Sequence, residues 1–361
     1  MGISRSVAAL AASLLLVACA AESPPVVPSR PQTPPQVPPP PAPTATDTPP
    51  PAPSPTLSTA DAAKLALPGY FEALSQHDAK RYAGFFTEDG VLTTPGGPPA
   101  KGRAEITAAV QKTFDAFSSL KVAPTRVLLK GDVVVAEWAL TGTHSGDYLG
   151  VKPTEKPVGV VGVTVLVFEP GTGLVKEAHR YSDQGTLLSQ IGASKTKARA
   201  IPLLSSSPEW KVASGTPAEE RAEAVWRRVL AAIEAKNETD YIALHEDDVA
   251  YDDLTQPVGM RGQTDARRWL KEFGVQVPDA KVEATGVWGV DDYVVSELIL
   301  RGTHAASKKP IVLHSVDVVQ MKDGKVARGF SYGDKQELTA QVTPAPAAKA
   351  PATPAPASKK K

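Results

Sequence analysis

The sequence predicts an α+β protein built of two tandem cone-shaped domains. In each, N-terminal helices pack inside a curved, mainly antiparallel sheet. Three observations carry this. First, the chain repeats itself: Lys101-Gly102 through Thr143-His144 lies over Arg261-Gly262 through Thr303-His304 at a constant spacing of 160 residues. A spacing this long marks whole domains, because solenoid repeats run at roughly 20–50 residues. Second, apolar residues in each copy recur with a helical period first and with a period of two afterwards. Third, glycine-containing turns separate the strand-like runs, and helices followed by a series of strands argue for α+β.

The spacing changes only between blocks. Downstream it is 151, placing Tyr181, Asp183, Leu187 and Gln190 over Tyr332, Asp334, Leu338 and Gln341. Upstream it is 159, placing Tyr82 over Tyr241 and Asp89 over Asp248. One unit was duplicated and its loops then altered.

The second copy opens with Thr216-Pro217-Ala218-Glu219, an N-cap, an N1 proline and a capping-box glutamate. Ala222, Val225, Trp226, Val229, Leu230 and Ile233 then form one apolar helical stripe. The first copy matches with Leu67, Tyr70, Phe71 and Leu74, and Pro68 is expected to kink or shorten that helix. A short second helix is expected over 79–86 and 239–245, then a brief strand and a glycine-rich turn, then a third helix over 104–117 and 265–273. Strands are expected over 122–130, 133–144, 158–169 and 175–183, and again over 282–288, 293–304, 311–321 and 326–334. Asp323-Gly324 is a strong hairpin turn.

The ends carry different information. Arg5, the apolar run Val7 to Val17 and the closing Leu16-Val17-Ala18-Cys19 have the form of an export signal. The run is shorter than the roughly 20 residues a membrane-spanning helix needs. Leu16 to Cys19 resembles the lipobox of bacterial lipoproteins, which implies cleavage before Cys19 and lipidation of its sulfur. Ala20 after it, by the same resemblance, suggests the outer membrane facing the periplasm. Cys19 is the only cysteine, so no disulfide within the chain and no thiolate metal site is expected. The segments are then a signal peptide over 1–19, a proline-rich tether over 20–57, domains over 58–200 and 216–343 joined by a linker over 201–215, and a Pro/Ala/Lys tail over 344–361. The proline-dominated stretch within the tether, Pro24 to Pro55, spans up to roughly 100 Å at about 3.1 Å per residue if extended. The 39 basic and 39 acidic residues balance, without a basic stripe, which argues against nucleic-acid binding.

Several blocks of the first copy point to a family: Thr141-Gly142-Thr143-His144-Ser145-Gly146, Gly150 through Lys156, Tyr181-Ser182-Asp183, and Leu187 through Gly192. Together they resemble the SnoaL-like polyketide cyclases of the nuclear transport factor 2-like superfamily, over about 58–192 and more weakly over 216–342. The resemblance implies a cone-shaped cavity, ring closure or isomerisation by a pocket carboxylate, and no metal or cofactor. It also implies pairing through the sheets, so that the tandem would form an internal pseudo-dimer.

On that pattern Asp183 takes the acid/base position. Burial in an apolar cone would raise its basicity. His144 and His179 would polarise a carbonyl, and Tyr148 or Tyr181 would donate to an oxyanion. Trp138 is expected at the ligand, as are Asp334 and His314 in the second, degenerate copy. Structural readings stand beside these. Asp183 could instead cap the helical segment 184–190, as its recurrence in Asp334 suggests. His144 recurs as His304 beside the same Gly-Thr pair, which fits a turn role, whereas His179 is replaced by Phe330. Trp226, Trp269 and Trp288 read as core or cavity wall. The acidic pairs Asp247-Asp248 and Asp252-Asp253 read as a solvated turn, because the spacing lacks calcium-loop ligands. The functional expectation is binding of a small apolar or carbonyl-bearing molecule with cofactor-free acid/base chemistry in the first domain. The alternative is a non-catalytic ligand-sensing or protein-interaction module.

Overall fold

The computed structural model describes residues 57–205 and 207–343. The expected export signal, Cys19, nearly all of the expected proline-rich tether and the C-terminal tail lie outside the described residues.

The first domain runs α1 (Thr59–Ser75), α2 (Ala79–Gly84), β1 (Phe86–Thr93), β2 (Ala100–Lys101), α3 (Gly102–Ala116), β3 (Phe117–Lys130), β4 (Val133–His144), β5 (Pro157–Phe168), β6 (Val175–Ser182) and α4 (Gln184–Ile191). A further strand, β7 (Glu209–Val212), lies between the domains in the chain. The second domain repeats the series with α5 (Pro217–Ala235), α6 (Glu238–Ala243), β8 (His245–Asp253), β9 (Met260–Arg261), α7 (Gly262–Gln276), β10 (Lys281–Val290), β11 (Tyr293–His304), β12 (Lys309–Lys322), β13 (Lys325–Tyr332) and α8 (Lys335–Val342).

The sheets run β2-β1-β6-β5-β4-β3-β7 and β10-β11-β12-β13-β8-β9. The long central strands pair antiparallel, while β1 with β6 and β8 with β13 pair parallel. Segment 201–215, expected as a plain linker, adds β7 parallel to β3, with Arg126 opposite Glu209. The charged pair Arg126–Glu209 helps set that register.

Pro68 does not shorten α1. Both Pro68 and Lys64, whose carbonyl its ring deprives of a donor, are exposed, so water can satisfy that group. Thr216 and Glu219 form the expected capping box. Asp323 (φ 50°) and Gly324 (φ 78°) form the turn between β12 and β13, in the left-handed conformation that Gly tolerates without strain.

Each sheet has two buried faces. The inner faces close on the helices, with Tyr70, Phe71, Ile106 and Phe114 in the first domain and Trp226, Leu230 and Leu270 in the second. The outer faces meet in one shared cluster that includes Val135, Val163 and Val165 with Val295, Val316 and Val318. This explains the near-continuous apolar runs of β4, β5 and β12, since a strand buried on both sides loses the polar half of its alternation.

Candidate functional site

Successive side chains of a strand point to opposite faces, and β6 applies this rule to the predicted site. Ala178 and Arg180 face the cone, whereas His179 and Tyr181 face the second domain. His179 Nδ1 lies 2.7 Å from Glu297 Oε1, and the Tyr181 hydroxyl donates to the same oxygen at 2.6 Å. The hydrogen bond with Glu297 is the main cause of a raised His179 pKa, working against partial burial. Neither side chain enters the first cone, contrary to the expected convergence.

Asp183 is the N-cap of α4. Its Oδ1 accepts from the Gly185 and Lys335 amides at 3.1 and 2.9 Å, and its Oδ2 from the Thr186 amide and hydroxyl, both at 2.8 Å. Lys335 is the first residue of α8. Asp334 repeats the arrangement, capping α8 through the Gln336 amide and accepting from the Gln184 amide, the first of α4, at 3.1 Å. Each aspartate therefore caps its own helix and also receives the leading amide of the other domain's helix. Burial pushes Asp334 up to about 6.

His144 holds the loop after β4. Its amide donates to Lys156, its carbonyl accepts from Glu155 at 2.9 Å, and Nδ1 lies 3.0 Å from Thr154 Oγ1. Its Nε2 is buried without a partner. Gly146 lies so close to α3 that a Cβ there would sit 1.9 Å from the Asp115 carbonyl oxygen. The Thr141–Gly146 motif thus builds the strand end. Tyr148 stacks obliquely on Phe117 at 4.8 Å, and its hydroxyl reaches Gln184 at 3.4 Å. His314 binds Glu337 at 2.6 Å on the outer face of the second domain. Asp252 is not part of a solvated turn: it pairs with Arg199 and Arg261 within β8, and burial raises the Asp253 carboxyl.

Of the expected site residues, Trp138 alone lines the cavity left inside the first cone. That interior retains a cavity of about 30 Å³ between Tyr70, Phe71, Tyr82, Phe114, Trp138 and Arg180. Tyr70 and Tyr82 share a 2.6 Å hydroxyl contact, and Trp138 Nε1 donates to Thr164 Oγ1 at 2.9 Å. Burial drives both tyrosine hydroxyls to higher pKa, with Arg180 drawing each back down. Among the described residues nothing forms a hydrogen bond or ion pair with the Arg180 guanidinium. An arginine in an aromatic cavity without an acceptor is poised for an anionic or carbonyl oxygen.

The SnoaL-like polyketide cyclase family matches residues 64–191, and a SnoaL-like domain family matches residues 226–329. The chain carries two tandem SnoaL-like domains. Solved structures similar to part of it include a protein of Jannaschia sp. CCS1 assigned as a SnoaL-like polyketide cyclase, at 24% identity over 39% of this chain and 96% of that one, TM-score 0.35. IdmH of Streptomyces antibioticus, assigned as a polyketide cyclase, matches at 25% identity over 36% of this chain and 97% of its own, TM-score 0.32. A Catenulispora acidiphila protein with a ketosteroid isomerase-like fold matches at 17% identity over 33% and 91%, TM-score 0.31. No curated protein shows a significant match to the chain.

The two SnoaL-like domains differ in charge at one corresponding place. Thr164 and Arg180 face each other across β5 and β6, and Asp317 and Ser331 face each other across β12 and β13. Asp317 is buried with one carboxylate oxygen unpartnered. Burial raises its pKa to about 6 against the pull of the Ser331 and Tyr251 hydroxyls. Sequence reasoning missed Arg180 and Asp317. Alternation was the available signal: Arg180 shares a face with the core residue Ala178, and Asp317 sits in an otherwise apolar run.

Proposed function

We propose that this protein is an exported, lipid-anchored module whose first cone binds the oxygen-bearing end of a small molecule, with Arg180 as the recognition group. The unpartnered guanidinium in an aromatic cavity carries the reading. A cavity of about 30 Å³ admits one or two waters or a carboxylate-sized group. Enclosing a whole ligand takes roughly 300–1,000 Å³. Binding a terminal group therefore fits this cone better than folding a polyketide chain within it. Asp183 has no part in the reading, because both its oxygens already accept hydrogen bonds at the helix ends.

Calorimetric titration of the full chain with acetate, butyrate and acetoacetate tests it. Saturable binding that Arg180→Met abolishes is the expected result, and equal binding by the variant overturns the reading.

A second reading, acid/base turnover, is favoured by Asp317. Its carboxyl is buried inside the second cone, with a pKa of about 6 that suits proton transfer near neutrality. Loss of any detected isomerase turnover in Asp317→Asn, with Asp183→Asn unaffected, supports that assignment.

Anchoring is proposed through Cys19, with the proline-rich tether placing the two domains on the periplasmic side of the outer membrane. Cys19→Ser should move the protein from the membrane fraction to the soluble fraction. Retention in membranes counts against a lipid as its attachment.

A further inference from the structure

The outer faces of the two sheets meet along a line with two ends, and the ends are built differently. The correspondence between them is fixed by a repeated contact. Gln190 receives the Gly159 amide at 2.9 Å and donates to its carbonyl at 2.8 Å, and Gln341 does the same to Val312 at 2.8 and 2.7 Å. With Gly159 over Val312, Val161 corresponds to His314. With Gln190 over Gln341, Thr186 corresponds to Glu337.

In the second domain His314 and Glu337 form a 2.6 Å hydrogen bond, with the Glu337 side chain buried. In the first, Val161 and Thr186 are smaller and make no such pair, and a cleft of about 320 Å³ opens there. Trp138, Phe330, Leu254 and Val161 supply apolar wall, with Arg126 and Arg199 also lining it. A volume of this size falls in the range of small-molecule pockets, which favour domain interfaces.

The hydrogen bonds already made define what the cleft can still accept. Glu137, its one lining carboxylate, receives the Tyr332 hydroxyl on one oxygen and Arg126 Nη1 on the other. Arg126 uses Nε and Nη1, towards Glu209 and Glu137. Arg199 uses Nη1 and Nη2, towards the Asp253 and Gln256 carbonyls and Asp252. Arg126 Nη2 and Arg199 Nε make no bond among the described residues. Both oxygens of that carboxylate thus already accept a bond, whereas the two arginines keep uncommitted N–H groups that can donate to an oxygen-bearing ligand.

We infer that the cleft between the two SnoaL-like domains is a second binding site, for a small, mainly apolar molecule carrying a carboxylate or carbonyl oxygen. The duplication supports this. One end of the interface is closed by the hydrogen-bonded His314–Glu337 pair, and the other is left open by smaller residues at the same two positions.

The probe is 1-naphthoate, titrated against the full chain by calorimetry. One saturable cleft site is expected, weakened at least tenfold in Val161→His/Thr186→Glu, which installs the hydrogen-bonded pair that the opposite end already accommodates. Wild-type affinity in the double variant, or no saturation with the native protein, overturns the inference. Should the double variant fail to fold, hydrogen exchange on the native chain decides. Slower exchange at 159–161 and 199–200 with the probe bound supports the cleft, and unchanged exchange there overturns it. The cone is read separately through Arg180→Met with small carboxylates, so failure of one site is distinguishable from failure of the other.

Discussion

Tyr181 of the first domain donates a 2.6 Å hydrogen bond to Glu297 of the second, and Tyr332 of the second donates to Glu137 of the first. Tyr181 corresponds to Tyr332 and Glu137 to Glu297, so one contact is made twice, as in an isologous interface. The helix ends obey the same exchange through Asp183 and Asp334. Removing either hydroxyl leaves a buried carboxylate short of a donor. Tyr181→Phe and Tyr332→Phe should each lower stability by about 1–3 kcal/mol, read as a shift in urea midpoint.

The two ends respond differently to pH. Glu137 is held by Arg126, which stays charged, and Glu297 by His179, which titrates. The folded His179 pKa lies above its unfolded value, so its stabilisation is full below about pH 6.5 and is lost as pH rises through the folded value. His179→Gln should lower the urea midpoint at pH 5.5 and leave it nearly unchanged at pH 9.

Asp183 is a structural acceptor at both helix ends. Asp183→Ala should cost about 1–2 kcal/mol for the α4 cap alone, and more because the Lys335 amide also loses its acceptor. Local unfolding should appear in α4 and α8 together, as faster hydrogen exchange in both. Faster exchange in α4 alone contradicts the cross-domain role.

Asp317 follows the opposite sign to a salt-bridged acid. Its folded pKa of about 6 lies above the unfolded value of about 3.9, so folding stability falls as pH rises between those values. Asp317→Asn removes that penalty. The variant should gain up to about 3 kcal/mol at pH 8 and almost nothing at pH 4, measured by denaturant titration at both.

Much of the fold was legible in the residues. The strands 133–144 and 293–304 were legible to the residue, because Gly131-Asp132 and Asp291-Asp292 turns mark their starts and each β-rich run closes on the same Gly-Thr-His. Strand β7 was not, because four residues in a Ser/Pro-flanked stretch carry no periodic signal. The site was less legible. Tyr181, Asp183 and His179 lie in the stretch that carries the family resemblance, yet their roles depend on which face of β6 looks inward and on what covers the other. Arg180, between His179 and Tyr181, was not legible as a site residue, because a charged strand residue ordinarily faces water.

From the sequence alone came the duplication, the element order and the helix caps, since repeats, periodicity and capping residues act over short stretches of chain. The three-dimensional arrangement decided which side chains meet: that His179 and Tyr181 serve the partner domain, that Arg180 and Asp317 occupy the interiors, and that one end of the shared face stays open. Those outcomes depend on residues more than a hundred positions apart, and distance along the chain carries no record of which faces will be buried together.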